Sequence, residues 1–382
     1  MKEWEKPKSN PLLFPPRPNP FIASDFELKG DRSMGSIENS FLISPASIFQ
    51  NEQVQIWHAT DSVFNKPKLF VDLAFITPFV SKSPKNWILT LLFQEILADA
   101  LSEITYDAEM ANLKFEVQRR VWGFSLFVFG YAHKLDALLD HIIQRFSDLV
   151  IEGAKFELFK QKVLQDRKNV RMHQPYSHAM SNVRLCLETD FFSHEEEIEQ
   201  LEISTLLDLA EFSQILFSRM NIDALVFGNA TSDTSKLLIQ NLVEKIRVKH
   251  TFLALPASEV PQPRLVSLSE CHEYYFQMKV YNTNDVNSCC YSMYQVSVED
   301  IKMRAILDVI AQIAKEPAFH RLRTVEQLGY IVWSNSSSRR GILSFDITVQ
   351  SGVHDAMHLD NRIEAFIAEL EVFALFVPGL IL

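Results

Sequence analysis

At 382 residues the chain has room for two domains, each large enough to bury a core without disulfide or metal staples. Its 10 glycines against 29 phenylalanines leave no glycine-rich phosphate loop, which excludes the nucleotide-binding folds built around one. With 48 acidic and 37 basic residues the net charge is −11 at pH 7, a balance that disfavours nucleic acid and anionic membranes and mildly favours basic peptides.

Residues 1–20 read as a linker, because 7–20 alone hold six prolines and proline both lacks an N–H and keeps its predecessor extended. A linker joins two parts, so a further part is expected upstream. The opening MKEWEKPKSN has no apolar stretch of the secretory kind, and no uninterrupted apolar run reaches the ~20 residues of a membrane-spanning helix. Cys186, Cys271, Cys289 and Cys290 form no C-x-x-C pair. Reduced thiols and a cytoplasmic location are therefore expected, with the peroxisome as the alternative.

From Phe21 the pattern becomes globular. Val54–His58 alternates and Lys68–Phe75 is rich in β-branched and aromatic residues, so both predict strands. Pro84 opens a helix over Lys85–Ile104. Leu113–Arg120 and Phe124–Tyr131 predict a hairpin turning at Trp122-Gly123, and Lys134–Val150 an amphipathic helix. Helices follow at Lys155–Val170, Ser177–Leu187, the acidic stretch His194–Phe212 and Ser232–Val248, with a strand at Ala224–Phe227. A proline-rich linker at 255–264 closes this part, which gives a domain at 21–254.

The order strand, helix, hairpin, helix then recurs. Ser288–Val298 predicts a strand and Glu299–Lys315 a helix. Tyr330–Ser334 and Ile342–Gln350 predict a hairpin around the polar turn Asn335–Gly341, and His354–Val372 a closing helix. The fold class is therefore α+β, with one complete sheet-and-helix copy and a truncated second copy at 265–372. The apolar tail 373–382 reads either as a buried strand or as an altered end in place of the rest of that domain.

The stretch richest in chemistry is Glu316–Ser334. It combines a helix end, a capping-box pattern at Thr324–Gln327, a turn at Gly329 and entry into a strand. Arg323 offers a planar fork of donors for a carboxylate or carbonyl, and Tyr330 a phenol for a carbonyl or a developing oxyanion. The plainer reading is an Arg–Glu surface pair beside a half-buried strand tyrosine. His173 and His178 flank a proline without evident further metal ligands, and His194 with Glu195, Glu196 and Glu197 reads as a solvated acidic helix start favoured by the helix dipole.

The run Phe319-His-Arg-Leu-Arg-Thr-Val-Glu-Gln-Leu-Gly-Tyr330-Ile-Val resembles the signature of the insulysin, nardilysin and pitrilysin group of inverted-motif zinc peptidases. Pro18–Ile22 with Phe26–Leu28, Gln174-Pro175 with His178–Met180, Gly228-Asn229 and Asn284–Cys290 resemble further stretches of that family in the same order. The resemblance implies the third domain and part of the fourth of a four-domain enzyme whose halves close around a peptide. It implies that Arg323 and Tyr330 reach a bound substrate and that Phe319 lines a hydrophobic pocket for it. In that family zinc belongs to the other, N-terminal half, held by an H-x-x-E-H helix. No such motif occurs here; the matching helix reads Leu92-Phe-Gln-Glu95-Ile96, with both histidine positions apolar.

The expected function is thus a non-catalytic, peptide-binding half of a zinc metalloendopeptidase, with no catalytic residue, metal ligand or cofactor of its own. Peptides are the expected partners, together with a zinc-bearing N-terminal half or a full-length family member; nucleic acid and membrane are not. The alternatives are a truncated paralogue acting as a regulatory partner of a full-length enzyme, or a fragment without function.

Overall fold

The structure is a computed structural model that describes residues 17–29, 44–270 and 272–375. Most of the expected linker 1–20, Cys271 and residues 376–382 of the tail lie outside the described residues. In chain order the strands and helices are β1 (Ala46–Gln50), β2 (Val54–Thr60), β3 (Lys68–Ile76), α1 (Pro84–Met110), β4 (Lys114–Arg120), β5 (Gly123–Tyr131), α2 (Ala132–Ser147) and α3 (Gly153–Asn169). They continue with α4 (Pro175–Leu187), α5 (His194–Ile203), α6 (Leu206–Leu216), β6 (Asn221–Gly228) and α7 (Ser232–Lys249). Last come β7 (Ser288–Val298), α8 (Ile301–Ala318), β8 (Ile331–Arg339), β9 (Ile342–Ser351) and α9 (Ala356–Leu375).

Two compact units share the chain discontinuously. Among the described residues, those up to Thr77 form one unit with Phe93–Ile151 and Gln214–Ser258. Pro78–Leu92, Glu152–Ser213 and the residues from Glu259 onward form the other. The helices between 152 and 213, which the sequence groups with the domain at 21–254, thus fall in the second unit. The cause is bonding in that unit: the amide of Tyr176 donates to Gln350 Oε1 at 3.0 Å, Gln350 Nε2 donates to Gln174 Oε1 at 3.0 Å, and Glu188 bridges to Leu265.

The first unit is built on a six-stranded sheet in the order β1-β2-β6-β3-β5-β4. Along β6 buried and half-buried positions alternate, as a strand with one face in a core requires. The many phenylalanines stack in that core: Phe75 and Phe124 are parallel with ring centres 4.7 Å apart, and Phe146 meets Phe217 edge to face at 4.9 Å. The short strand β1 had no signal of its own in the sequence, because none of its five residues is buried.

The second unit carries a three-stranded sheet in the order β7-β9-β8. The pairing repeats that of β3, β5 and β4, where the first strand lies against the second arm of the following hairpin. On one face of β9, Leu343, Phe345, Ile347 and Val349 pack against Leu307, Ala311 and Ala314 of α8 and Leu359, Ile363 and Phe366 of α9. Each such large side chain stabilises the fold by about 1.5–3 kcal/mol when fully buried. On the opposite face Ser344, Asp346, Thr348 and Gln350 are buried as well. They are polar because hydroxyls and carboxylates meet there: Ser337 Oγ donates to Asp346 at 2.7 Å and Ser344 Oγ donates to it at 2.8 Å.

Several sequence expectations need correction. The acidic helix expected over 194–212 is two helices, because Ser204 is extended and Thr205 starts a new cap, its hydroxyl and amide bonding Asp208 at 2.7 and 2.8 Å. Glu197 is not solvated. It is 4% exposed, accepts from Trp87 Nε1 at 2.7 Å and pairs with Arg167 at 2.9 Å. The turn of the last hairpin is not Asn335–Gly341 but Arg340-Gly341, whose φ values of 51° and 77° suit a two-residue hairpin. The serines before it continue the strand, Ser336 and Ser338 donating to Asp308 and Glu299 at 2.6 Å. Finally, α9 runs past the expected end at Val372 to Leu375, so the described start of the apolar tail is helix rather than strand.

Candidate functional site

Pro317 sits inside α8 and has no N–H to offer the carbonyl of Ile313. The helix does not stop there, as the sequence suggested with an end at Lys315. It widens into a π-helical turn over Phe319–Val325, a geometry that recurs at functional sites. The amide of Glu326 donates to the carbonyl of Arg321 at 3.0 Å and that of Leu328 to Leu322 at 3.0 Å. No new helix begins at Thr324, so the capping-box pattern is not realised. Gln327 takes a left-handed conformation, φ 54°, and turns the chain toward β8.

The wide turn brings the three expected residues together. The guanidinium carbon of Arg323 lies 4.7 Å from the ring centre of Phe319 and 4.4 Å from that of Tyr330. Such contacts are worth about 0.5–1 kcal/mol at exposed sites. Contacts of this kind pair the fork with no carboxylate or carbonyl. Among the described residues no carboxylate lies within ion-pairing distance of Arg323, so the Arg–Glu surface pair is not formed. Tyr330 is 82% exposed, not a half-buried strand residue.

The turn is anchored through Glu326. Its two oxygens accept from Nε and Nη2 of Arg362 on α9 at 2.6 Å each, and Arg321 approaches at 2.8 Å. Arg321 also reaches Glu369 of α9 at 3.1 Å. These bonds, with Arg362 foremost, hold the Glu326 carboxyl below its ordinary range. On the far side of the turn Gly329 presses against β9: a Cβ there would stand 1.9 Å from the carbonyl oxygen of Gln350. Only glycine permits that approach.

Phe319, Arg323 and Tyr330 border a cavity of about 320 Å³, with Lys315 from α8 and Ile331–Asn335 of β8 completing its wall. Trp333 is steadied there by Tyr176, edge to face at 4.9 Å. Sequence reasoning passed over Lys315, Trp333 and Glu326. Lys315, Phe319 and Arg323 are spaced four apart, a signal that would have shown only had the helix been carried through Pro317.

The other candidates resolve differently. His178 is buried against Tyr281, ring centres 4.9 Å apart, and burial first, then His173, lowers its pKa. His194 stands 3.7 Å from Glu197 at the start of α5. Among the described residues no three histidine, cysteine, aspartate or glutamate side chains gather where a metal ion could be held. Leu92 and Ile96, which the element order of the sequence sets at the expected zinc-histidine positions, are fully buried apolar side chains. They do not fit a zinc ion. Among the described residues no helix is long and apolar enough to cross a membrane.

Known proteins resemble this chain along most of its length. Residues 1–200 match the family model of the middle or third domain of peptidase M16, and 309–373 match that of the C-terminal lobe domain 4 of PQQ synthase PqqF-like proteins. The chain is 31% identical over 374 residues to insulin-degrading enzyme of Homo sapiens, covering 97% of this chain and 36% of that protein. It is 29% identical over 373 residues to insulin-degrading enzyme-like 1, peroxisomal, of Arabidopsis thaliana, covering 97% and 38%. The chain therefore spans well under half the length of these relatives. Among solved structures, pitrilysin superposes with a TM-score of 0.83 at 19% identity over 96% of this chain and 38% of that one.

Proposed function

Because the chain belongs to the M16 peptidase family and matches its middle and C-terminal domains, we propose that it is a peptide-engaging part of such a peptidase without hydrolytic chemistry of its own. The observation that carries the reading is the Arg323 guanidinium lying over the rings of Phe319 and Tyr330 in the wall of a cavity, its donors unclaimed by any carboxylate among the described residues. A planar fork beside an exposed phenol suits the carbonyls of an extended peptide. Phe319 and Trp333 supply apolar surface for its side chains.

Hydrolysis in this reading belongs to a zinc-bearing half, supplied as an N-terminal part or by a full-length family member. The chain by itself binds peptide and leaves it intact. The test is to titrate a labelled extended peptide with the purified chain and to follow both anisotropy and peptide mass. Saturable binding with no cleavage, weakened about tenfold on replacing Arg323 by alanine, is the expected result. Cleavage that a chelator abolishes would overturn it, as would a folded chain that binds no peptide.

A further inference from the structure

We infer that the outer edge of β8 takes up an extended acidic peptide as an added strand, one of its carboxylates held by Lys315 and Arg323; this rests on the peptide-engaging reading of the same site. The argument begins with the sheet. Among the described residues β8 pairs with β9 alone, so every second residue of β8 turns its N–H and C=O outward. Proteins usually blunt such an edge with a lysine, a proline or a bulge. Between Ile331 and Ser338 there is no charge and no proline, and the ladder from Ile331↔Gln350 to Arg339↔Ile342 runs without a shift in register. The cavity opens along the first half of this same strand.

Charge then selects the guest. The cavity wall holds two cations, Lys315 and Arg323, and no acid. Nearby arginines of the same unit are all matched: Arg321 with Glu326 and Glu369, Arg340 with Glu188 and Asp190, Arg362 with Glu326. Among the described residues neither Lys315 nor Arg323 has a carboxylate within ion-pairing distance. The overall charge of −11 points toward basic partners, but the charged residues that line the cavity along the first half of β8 are both positive. Main-chain bonds to β8 give such a complex its affinity, and the carboxylate gives it selectivity.

The probe is a short fluorescent peptide of alternating valine and threonine with one central glutamate, compared by anisotropy with its glutamine counterpart. The glutamine form is expected to bind about tenfold more weakly, the size of one charge-assisted contact. Lys315→Met, on an exposed helix position, is expected to narrow that preference, with far-ultraviolet circular dichroism confirming the fold. N-methylation at alternate residues, made in both registers, is expected to abolish binding in one of them. Equal binding of the two peptides, or binding indifferent to both methylated registers, overturns this inference and leaves the peptide-engaging reading standing. A folded chain that binds neither peptide overturns both.

Discussion

Arg323 and Tyr330 lie on opposite sides of a turn, yet the guanidinium carbon of the one is 4.4 Å from the ring centre of the other. The contact makes the pair a single unit: the ring holds the guanidinium in place, and no carboxylate among the described residues claims its donors. Replacing Arg323 by alanine should therefore weaken binding of an extended peptide about tenfold, the loss of one charge-assisted donor set. Arg323→Lys should fall between the two, because an ammonium cannot stack and fork at once. Unfolding free energy should fall by about 1–2 kcal/mol in the alanine variant, which loses both ring contacts, without unfolding the chain. Equal anisotropy titrations for all three proteins would refute the unit.

Glu326 ties the same turn to α9, and its pKa is lowered, chiefly by its hydrogen bonds from Arg362. A carboxylate whose folded pKa is depressed contributes stability that is present above its unfolded value, here 4.5, and lost as pH falls through the lower folded value. Glu326→Gln should cost about 2 kcal/mol at neutral pH, since its partners are charged. The difference between variant and parent should shrink below pH ~4.5. Denaturant melts across pH 3–7 would show this; a constant difference at every pH would contradict it.

Gly329→Ala places a methyl group 1.9 Å from a backbone oxygen, where neither strand has a flexible side chain to move. The hairpin must part or the turn must shift. A loss of at least about 3 kcal/mol is expected, with peptide binding lost along with it. By contrast Gly341→Ala meets nothing within 4 Å and strains only its φ of 77°, so about 1 kcal/mol should suffice. Thermal melts of the two variants side by side make the comparison, and equal losses would contradict the close approach.

Cys289 and Cys290 stand side by side on β7, and burial pushes their thiols up to about 12 and about 11. Burial raises Cys186 as well, but that side chain is exposed. At pH 8 only about one Cys289 in ten thousand is a thiolate. Alkylation followed by peptide mass mapping should label Cys186 well before either neighbour. Simultaneous labelling would mean that β7 opens readily.

Much of this was legible in the sequence. Periodicity located α2 and β3, whose buried residues recur every three to four or every two positions, and the Phe319–Tyr330 run pointed to the three residues that meet at the cavity. What escaped had a physical reason. Pro317 and the serines of β8 carry poor local propensity for the elements they occupy. They are held there by tertiary bonds, such as those from Ser336 and Ser338 to α8 and its approach, which no local pattern reveals. Glu326 went unread because its partners, Arg321 and Arg362, come from either side of the turn. Lys315 went unread because its link to Arg323 depends on a helix continuing past a proline.

The π-helical turn at Phe319–Val325 makes the site sensitive to residue count as well as to residue identity. One residue fewer in that stretch would let the turn relax toward ordinary α-helical winding, with its side chains rotated by about 100° per position. Phe319 and Arg323 would still share a helix face, while the chain would reach Gly329 and Tyr330 out of step with β9. Every chemical group of the site would still be present, but Tyr330 would no longer meet Arg323 beside the cavity. Deletions scanned one residue at a time through this turn are thus a sharper probe of the site than substitutions, because they change its phase while sparing most of its side chains.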